Sequence, residues 1–554
     1  MWYEYNTVKQ KLPSEVREIW TVKEILEKLS AIEKRLYLID AVKGERYTYK
    51  ETNELANKFA NALTNLGLSK GDRIGIYLTN CPEYVFALFG CGKAGIVEIP
   101  ININFQEPEI THIVNTAKIS TILVEANHKF LTEIKKVATV TPILKKVLIL
   151  GNVSEIPPMP TTVISFDKKI AEADISNLET EINPSDTFCA FFTSGTTGLP
   201  KGALISNKCF VLAAKSFLAA PITQEDRNYT CLPLFHANAQ CYSMMGSVCL
   251  GSSLSLSNRF SPKRFFKEIM ETEATYFNYI GGILSILDAH FKADKIPEHG
   301  AKFALGAPTV PEGWEAKFKV QAMEMYSMSE VPVLFGNFHP DISREKQGSF
   351  GIPLFPDLGR QTKVVDDLGN EVEIGDVGEL VEKGNAFVTQ GYIGNLEATK
   401  ETIDEEGWFH TGDLVKQDKD GYHYYVDRKK FMIRKAGENI ATAEIEAAIN
   451  SHPSVESSAA IAAPDPIREE EVKVLIKLRN GADLDFEEII KHCSTRLAYY
   501  KVPRYIEIVE EFPKTPTERI QKMKLKERER QLEDHGWDRD KELPDWKDKY
   551  YGKL

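Results

Sequence analysis

The sequence lacks the features of secreted and membrane-spanning chains. Its eight cysteines form no Cys-x-x-Cys pair and no Cys/His cluster, which favours reduced, buried thiols over disulfides or zinc. The amino terminus, Met1 to Leu12, has no apolar core of signal-peptide length, so we expect a cytoplasmic protein. The most apolar stretch, Tyr84 to Ile103, contains Lys93 and Glu98. A membrane span needs about 20 nearly uncharged residues, so this stretch predicts buried helix and sheet.

A surplus of basic residues is also missing. The chain has 80 acidic and 68 basic residues, and its net charge of −12 argues against nucleic acid as a partner, since phosphate contacts need a basic surface. No repeat of about 20–50 residues is visible, which argues against solenoids and propellers. The chain has 554 residues, and a prior of roughly 150 residues per domain predicts three or four structural units.

The first part of the chain alternates helix and strand signals. Thr48 followed by Glu51 predicts a capping box, and the helix that it opens ends at Gly67. Three segments then follow in the order strand, helix, strand: Arg73 to Leu78, Cys81 to Gly92 and Gly95 to Ile101. This spacing predicts a parallel, doubly wound sheet. A similar alternation continues to about residue 340.

The pattern changes after Gly348. Short strands separated by turns, such as those at Asp367 to Asn370 and Asp418 to Gly421, predict a β-rich subdomain or distorted barrel. From Lys430 onward the pattern is again mixed, so the predicted fold class is α/β: doubly wound sheets plus a β-rich subdomain, followed by an α+β region. The last stretch, Lys522 to Leu554, is strongly charged and predicts a solvated helix and tail.

A loop rich in glycine and threonine follows the apolar run Phe188 to Phe192. Glycine permits close backbone approach, so such a loop can direct N–H groups and hydroxyls at a phosphate chain. The candidate phosphate ligands are Thr193, Ser194, Gly195, Thr196, Thr197, Gly198 and Lys201. The spacing is not that of a Walker P-loop, because Gly202 follows the lysine where Ser or Thr should stand.

The run Thr193-Ser-Gly-Thr-Thr-Gly-Leu-Pro-Lys-Gly202 resembles the phosphate loop of the adenylate-forming superfamily, which includes acyl-CoA synthetases, luciferases and peptide-synthetase adenylation domains. Further motifs resemble that family in the same order: Leu232 to His236, Gly306 to Pro308, Tyr326 to Glu330, Trp408 to Asp413 and Asp427 to Lys430. A closer likeness is to the crotonobetaine/carnitine–CoA ligase-like branch, carried by Leu234 to Ser243, Arg259 to Phe265, Gly437 to Asn439 and Gly536 to Arg539.

The resemblance implies an ATP site, with roles for individual residues. Gly306, Ala307, Pro308 and the ring of Tyr326 would pack beside adenine. Ser329 would keep a hydroxyl for the α-phosphate, and Asp413 and Arg428 would bind the ribose. Glu330 would hold Mg²⁺, because a hard carboxylate suits an ion that bridges phosphate oxygens.

The resemblance also implies sites for the acid and for coenzyme A. His236 would lie beside the acyl carboxylate, and Gln240, Gly281 and Leu305 would line the acyl pocket. The resemblance further implies a large N-terminal domain of residues 1–429 and a small, mobile α+β C-terminal domain of residues 430–554. Lys430 would be the hinge about which the small domain rotates between the two half-reactions. Gly437 and Glu438 would line the tunnel for the pantetheine arm of coenzyme A.

One departure from the family concerns its C-terminal lysine, normally found in a Pro-Lys-Thr-x-x-Gly-Lys pattern. This chain reads Pro513-Lys-Thr-Pro-Thr-Glu-Arg519, so arginine stands at the lysine position. Arg519 keeps the charge in a planar fork, or Lys522 reaches the site instead. Slower adenylation is expected, and loss of that step is a second outcome.

These features predict an AMP-forming acyl-CoA ligase that joins ATP, coenzyme A and a small or medium carboxylic acid, carnitine-like acids included. Two alternatives stay open: an adenylate former that passes its acyl group to a carrier protein or uses oxygen, and a nucleotide-binding protein without catalysis. A homodimer is the base-rate expectation for the assembly.

Overall fold

The computed structural model describes residues 1–32, 34–152, 156–193, 199–280, 282–307, 310–339, 346–435, 438–465, 469–514, 520–532 and 534–551. Its mixed α/β architecture confirms the predicted fold class. All eight cysteines are unpaired thiols and seven are buried. Within the described ranges, no helix combines the length and the apolar character needed to cross a membrane.

The first sheet contains the predicted strand–helix–strand units. Thr48 and Glu51 form the predicted capping box, and Gly67 has a φ of +87° just after the helix that they open. The strand order is Thr162–Ser165, Lys146–Leu150, Thr121–Glu125, Arg73–Tyr77, Val97–Pro100, Thr187–Thr193, Lys201–Ser206. The strands pair in parallel except the last two, which form an antiparallel hairpin. The phosphate loop therefore joins the two strands of a hairpin.

The second sheet packs beside the first in one continuous hydrophobic core. Its order is Ile352–Pro353, Phe335–Gly336, Gln321–Tyr326, Phe303–Gly306, Tyr276–Tyr279, Arg227–Thr230, Ser253–Leu256, Leu36–Asp40, Arg46–Thr48. The central strands run parallel, so their carboxyl ends share one edge.

The helices of the large domain cover both sheets. They are Tyr5–Val8, Val22–Ser30, Tyr49–Asn65, Pro82–Ala94, Glu107–Ala117, His128–Val140, Phe166–Glu172, Asn207–Phe217, Gly246–Leu250, Pro262–Glu271, Ile283–His290, Trp314–Phe318 and Leu396–Thr402. A π-helical segment, Asn238–Met245, follows His236. π-helical turns are rare and occur mostly at functional sites.

The β-rich region predicted after Gly348 is an antiparallel sheet with the order Gln361–Val365, Val377–Lys383, Phe409–Gln417, His423–Arg428. The next sheet has the order Glu438–Ile440, Ile433–Lys435, Glu469–Leu478, Tyr505–Ile508, Trp537–Asp538, and the strand Val455–Asp465 also pairs with Glu469–Leu478. The helices in this part of the chain are Thr442–Asn450, Phe486–Ser494, Lys522–Glu529, Arg539–Glu542 and Trp546–Tyr551.

The predicted solvated tail is wrong. Trp537–Asp538 adds a strand to the C-terminal sheet, and Trp546 is buried in its core. Arg539 is buried against the Trp546 ring, 3.8 Å from its centroid, and donates to the carbonyl oxygen of Val502 at 2.6 Å. Aromatic residues within the charged stretch supply the apolar surface that docks it, and the buried guanidinium is satisfied by main-chain oxygens.

Candidate active site

The two ends of the phosphate loop lie directly opposite each other. Thr193 and Lys201 are paired residues of the hairpin. A Cβ at Gly202 would come within 2.6 Å of the Phe192 ring, so glycine is required where the hairpin packs. Ser194, Gly195, Thr196, Thr197 and Gly198 lie outside the described residues.

The carboxylate of Glu330 lies beside the first residue of the loop. Its Oε1 atom is 3.5 Å from Thr193 Oγ1 and accepts a hydrogen bond from the Tyr392 hydroxyl at 3.0 Å. The Lys201 ammonium lies 5.7 Å from the Tyr392 ring centroid. The backbone of Glu330 is fixed by Thr389, whose N–H donates to its carbonyl oxygen at 2.7 Å. The fold thus brings together a hydroxyl, an ammonium and a nearly buried carboxylate at the loop.

The position of Glu330 beside the loop fits its predicted role as the single protein ligand of Mg²⁺. Among the described residues no group of three acidic, histidine or cysteine side chains could hold a metal ion. Mg²⁺ typically takes one or two carboxylates and completes its shell with water and substrate phosphates. A single buried carboxylate next to a phosphate loop matches that requirement.

Asp413 and Arg428 lie on neighbouring strands as paired residues. Arg428 Nε is 2.8 Å from Asp413 Oδ1, and the guanidinium also donates to the carbonyl oxygen of Thr411 at 2.9 Å. The Tyr326 hydroxyl donates to Asp413 Oδ2 at 2.6 Å. Despite its ion pair, Oδ1 accepts no aligned hydrogen bond among the described residues. Burial raises the pKa of Asp413, and Arg428 and Tyr326 oppose this rise.

The Tyr326 ring is held in an aromatic group. Its centroid is 4.7 Å from that of Phe350, and burial raises the pKa of its hydroxyl. On the adjacent strand a Cβ at Gly306 would come within 2.4 Å of the Tyr279 carbonyl oxygen, so this strand end accepts only glycine. The Tyr279 hydroxyl donates to the Ala307 carbonyl oxygen at 2.9 Å. Ser329 is half-buried between Tyr326 and Glu330 in the chain, and Pro308 lies outside the described residues.

The predicted hinge follows the ribose motif. A short helical turn, Lys429–Phe431, connects the small β-rich sheet to the C-terminal sheet. Burial, together with the nearby charges of Arg428 and Lys201, lowers the pKa of Lys430 to about 8, and Asp413 opposes this change. The Lys430 ammonium therefore interacts with residues of the proposed nucleotide site.

Two residues, Arg519 and Lys522, were predicted as alternatives for the role of the family's C-terminal lysine. Lys522 forms an ion pair with Glu446 at 2.6 Å and donates to Thr442 Oγ1 at 2.9 Å. Arg519 lies outside the described residues, as does Gly437. Glu438 begins a short strand.

The residues predicted for the acid lie around the π-helical segment. The rings of Phe235 and His236 are 4.5 Å apart. Gln240 is fully buried, and its amide nitrogen donates to Glu98 Oε1 at 2.9 Å and to the Leu234 carbonyl oxygen at 2.7 Å. Leu305 is fully buried, and Gly281 lies outside the described residues.

Sequence reasoning missed one polar residue near the site and the hydrogen-bond partner of another. Tyr392, the hydroxyl partner of Glu330, is signalled only by the glycines on either side of it, at positions 391 and 394. Asp427 accepts hydrogen bonds from the backbone N–H and the hydroxyl of Thr442, which ties the ribose strand to the first helix of the C-terminal domain. Asp427 stands beside Arg428 in the sequence motif, but Thr442, its hydrogen-bond partner, lies fifteen positions away.

Comparison with known proteins agrees with this geometry. The family model described as AMP-binding enzyme matches residues 30–393, and the model of the AMP-binding enzyme C-terminal domain matches residues 444–519. The crotonobetaine/carnitine–CoA ligase of Proteus mirabilis is 30% identical over 528 residues, which is 92% of this chain and 98% of the relative. The ligase of the same name from Salmonella typhimurium is 29% identical over 497 residues, covering 87% of this chain and 93% of the relative.

Solved structures match the same architecture. The o-succinylbenzoate CoA synthetase of Bacillus subtilis with its acyl-adenylate intermediate superposes with a TM-score of 0.77 at 26% identity, covering 91% of this chain and 97% of the other. An anthranilate CoA ligase in complex with anthranoyl-AMP gives a TM-score of 0.81 at 24% identity, covering 94% and 98%, and supports the fold. By these family-model matches and relatives, the chain belongs to the adenylate-forming AMP-binding enzyme family, among the acyl-CoA ligases related to crotonobetaine/carnitine–CoA ligases.

Proposed function

We propose that this chain is an AMP-forming acid–CoA ligase acting on a small or medium carboxylic acid. The observation that carries the proposal is the convergence of the phosphate-loop hairpin, Glu330 and the Asp413–Arg428 pair. Asp413 interacts electrostatically with both Arg428 and Glu330. These groups would suit the triphosphate, the metal and the ribose of one ATP molecule.

In the first half-reaction a carboxylate oxygen of the acid bonds to the α-phosphorus of ATP, and the bond to the β-phosphate oxygen breaks. Pyrophosphate leaves, and a mixed anhydride remains. Asp413 Oδ1 is placed to accept a hydrogen bond from a ribose hydroxyl, and Lys201 to neutralise phosphate charge. Mg²⁺ held by Glu330 would supply further neutralisation of the phosphate oxygens. Catalysis of this step is mainly positioning and electrostatic stabilisation.

In the second half-reaction the coenzyme A thiolate attacks the acyl carbon, the thiol proton passes to solvent, and AMP leaves. No protein nucleophile is needed. His236, beside Phe235 at the start of the π-helical segment, would contact the acyl carboxylate. The unpaired thiols and the use of ATP and coenzyme A favour the cytoplasm; a homodimer is a base-rate proposal.

The test is a panel of carboxylic acids, carnitine and crotonobetaine included, assayed for AMP and pyrophosphate with and without coenzyme A. The expected result is AMP formation that depends on both an acid and coenzyme A. Adenylate that accumulates while coenzyme A has no effect would contradict the ligase proposal, and turnover with an added carrier protein alone would favour the carrier alternative. ATP binding without pyrophosphate release from any acid would favour the nucleotide-binding alternative.

A further inference from the structure

A carboxyl group is buried where the first sheet contacts the π-helical segment. Glu98 lies on the strand Val97–Pro100, and its side chain is fully buried. Its Oε1 atom accepts hydrogen bonds from the Gln240 amide nitrogen at 2.9 Å and from the Tyr84 hydroxyl at 3.2 Å. No cationic side chain acts on it within the described part of the chain. An ionised carboxylate is costly in such a place, because nothing compensates the charge that burial strips of water.

The titratable groups that face Glu98 are uncharged near neutral pH. They are the hydroxyl of Tyr84 and the thiols of Cys91, Cys189 and Cys241, and burial raises the pKa of each. Burial also raises the pKa of Glu98 to about 8, against an ordinary value of 4.5, and the hydrogen bonds from Gln240 and Tyr84 oppose this rise. At neutral pH the surroundings therefore favour a protonated carboxyl.

The hydrogen bonding of the same pair points to a proton independently. Two buried oxygen atoms, Glu98 Oε2 and Gln240 Oε1, have no hydrogen-bond partner among the described residues. An ionised carboxylate and an amide oxygen both only accept, so they cannot satisfy each other, whereas a protonated Oε2 is a donor. The Gln240 amide nitrogen already donates to Glu98 Oε1. One proton on Oε2 would supply a donor for Gln240 Oε1 and join the two groups by a second hydrogen bond.

Gln240 connects this carboxyl to the segment that carries His236. The Gln240 amide nitrogen also donates to the carbonyl oxygen of Leu234 at 2.7 Å. The N–H of Leu234 donates to Asn80 Oδ1 at 2.8 Å, so this residue is held at both of its backbone polar groups. The backbone N–H of Gln240 donates to the His236 carbonyl oxygen at 3.2 Å. A displaced Gln240 side chain would therefore loosen the chain two positions before His236.

We propose that Glu98 is a positioning residue for the acid site. Its protonated carboxyl holds the Gln240 amide, which fixes Leu234 and through it His236. When Glu98 loses its proton, Oε2 no longer donates and its charge repels the Gln240 amide oxygen, so the hold on Leu234 weakens. This inference rests on the proposed function, since His236 is the residue expected beside the acyl carboxylate. Glu98 acts through its neighbours and does not touch the acid.

The protonation of Glu98 is tested first, on the intact chain without substrates. Infrared spectra of the wild type and Glu98→Gln are recorded from about pH 6 to about pH 10. The wild type should show the carbonyl band of a protonated carboxyl that the variant lacks, and this band should disappear with a midpoint near pH 8. A wild type without this extra band at the acidic end would show that Glu98 is ionised there, which overturns the inference.

The positioning role is tested by the pH dependence of turnover. Glu98→Gln imitates the protonated carboxyl, because its amide accepts at one atom and donates at the other at every pH. The substrate is the panel acid with the highest kcat/KM. From about pH 7 to 9.5 the wild-type KM for this acid should rise about fivefold relative to that of E98Q, as expected for one lost hydrogen bond. The KM for ATP should follow the same course in both proteins.

A matched control is available in a second buried glutamate. Glu268 also accepts from a buried tyrosine hydroxyl, that of Tyr229 at 2.7 Å, but Arg264 lies 3.2 Å from its carboxylate. The KM of Glu268→Gln for the acid, divided by that of the wild type, should vary by less than about twofold over the same pH range. Glu98→Leu can neither accept nor donate, and its KM for the acid should exceed that of E98Q at every pH.

The outcomes separate this inference from the proposed function. If the wild type and E98Q have the same KM for the acid throughout the pH range, or if E268Q changes the profile as E98Q does, the inference is overturned while the ligase activity stands. An E98L variant with the KM of E98Q would also overturn it. If no acid of the panel supports AMP formation, the proposed function is refuted and the positioning role with it. The infrared band distinguishes these cases, because it reports on Glu98 without turnover.

Discussion

Two fully buried lysines, Lys215 in the large domain and Lys473 in the C-terminal domain, lie in different surroundings. In the large domain Lys215 is fully buried and donates to the carbonyl oxygens of Val16, Arg17 and Ile19, at 2.8–3.2 Å. Its ammonium lies 3.9 Å from the Trp20 ring centroid. No carboxylate forms an ion pair with it among the described residues. Neutral oxygens and an aromatic face fasten the N-terminal segment onto the helix that carries this lysine.

The C-terminal domain pairs its buried lysines with glutamates. Lys473 is fully buried, with Glu529 at 2.5 Å and Glu507 at 2.7 Å. Lys435 forms a similar pair with Glu471 at 2.7 Å. The charges compensate each other, and each pair joins a strand of the C-terminal sheet to a neighbouring element.

The difference shows where each region is vulnerable. Partial charges on carbonyl oxygens leave a net positive charge in the core, and burial lowers the pKa of Lys215 to about 8. The folded chain therefore binds the ammonium proton of Lys215 more weakly than the unfolded chain does. In the C-terminal domain the vulnerable group is the glutamate, because removing Lys473 would leave the buried Glu529 carboxylate with His535 as its remaining partner among the described residues.

The largest expected effect is therefore in the C-terminal domain. Lys473→Met removes the lysine partner of the buried Glu529 carboxylate and leaves, among the described residues, only His535, whose Nδ1 lies 2.6 Å from Glu529 Oε1. It should destabilise this domain by about 3–5 kcal/mol. The measurement is hydrogen exchange of the amides in strand Glu469–Leu478 during urea titration. Combining it with Glu529→Gln should recover part of the loss, because the uncompensated charge is removed. A double variant less stable than the single one would contradict this explanation.

The nucleotide site combines both kinds of surroundings. Arg428 has a carboxylate partner in Asp413 and a carbonyl partner in Thr411. Asp413→Asn should leave Arg428 anchored by Thr411 and the fold intact. It should weaken ATP binding by about 10- to 100-fold, because a hydrogen bond to a charged acceptor is worth about 1.5–3 kcal/mol. Calorimetry with ATP and Mg²⁺ measures this change.

A graded variant sharpens that prediction. Tyr326→Phe removes one donor to Asp413 but keeps the ring that is expected beside adenine. Its effect on ATP binding should be smaller than that of Asp413→Asn. Unchanged ATP affinity in Asp413→Asn would contradict the ribose assignment.

Local signals predicted much of the large domain. The helix Tyr49–Asn65 and the strand Arg73–Tyr77 follow from a capping box, an apolar periodicity and turn residues a few positions apart. Such signals lie within a few residues in the sequence, so one sequence suffices to read them. The candidate residues for the phosphates, the ribose and the magnesium ion were proposed from short motifs that resemble those of the family.

Features that depend on distant partners were not predicted. The charged stretch after Lys522 gave no sign that Arg539 would lie on the Trp546 ring and cap carbonyl oxygens near Val502. Tyr392 reaches Glu330 across 62 positions of sequence. Polar partners of this kind are set by tertiary packing, which no local propensity encodes.

The surroundings of Gln240 illustrate a second limit. A π-helical segment contains more residues per turn than an α-helix, so it changes which side chains share a face. Nothing in the letters from Asn238 to Met245 marks this segment as π-helical. The hydrogen bond from Gln240 to Glu98 therefore could not be read from spacing.

The smallest expected effect concerns Lys215, whose hydrogen-bond partners are uncharged oxygens. Lys215 has a pKa of about 8 in the folded chain against an ordinary value of 10.5. Between these values the unfolded chain binds the proton and the folded chain does not, so the free energy of unfolding should rise with pH. Between about pH 7.5 and 9.5 Lys215 should contribute a gain of about 1–2 kcal/mol. Urea denaturation at each pH measures this gain.

Comparison with Lys215→Met isolates the contribution of this one group. Other titrating groups act in both proteins, so the difference between the two pH slopes belongs to Lys215 alone. The variant should gain less stability with rising pH than the wild type, whatever its stability at pH 7. Replacing the exposed Lys267 by Met should leave the slope unchanged, because a solvated ammonium loses no hydration on folding. Equal slopes in the wild type and Lys215→Met would mean that the carbonyl oxygens and the Trp20 ring compensate the charge as fully as a glutamate does. The contrast between Lys215 and Lys473 would then disappear.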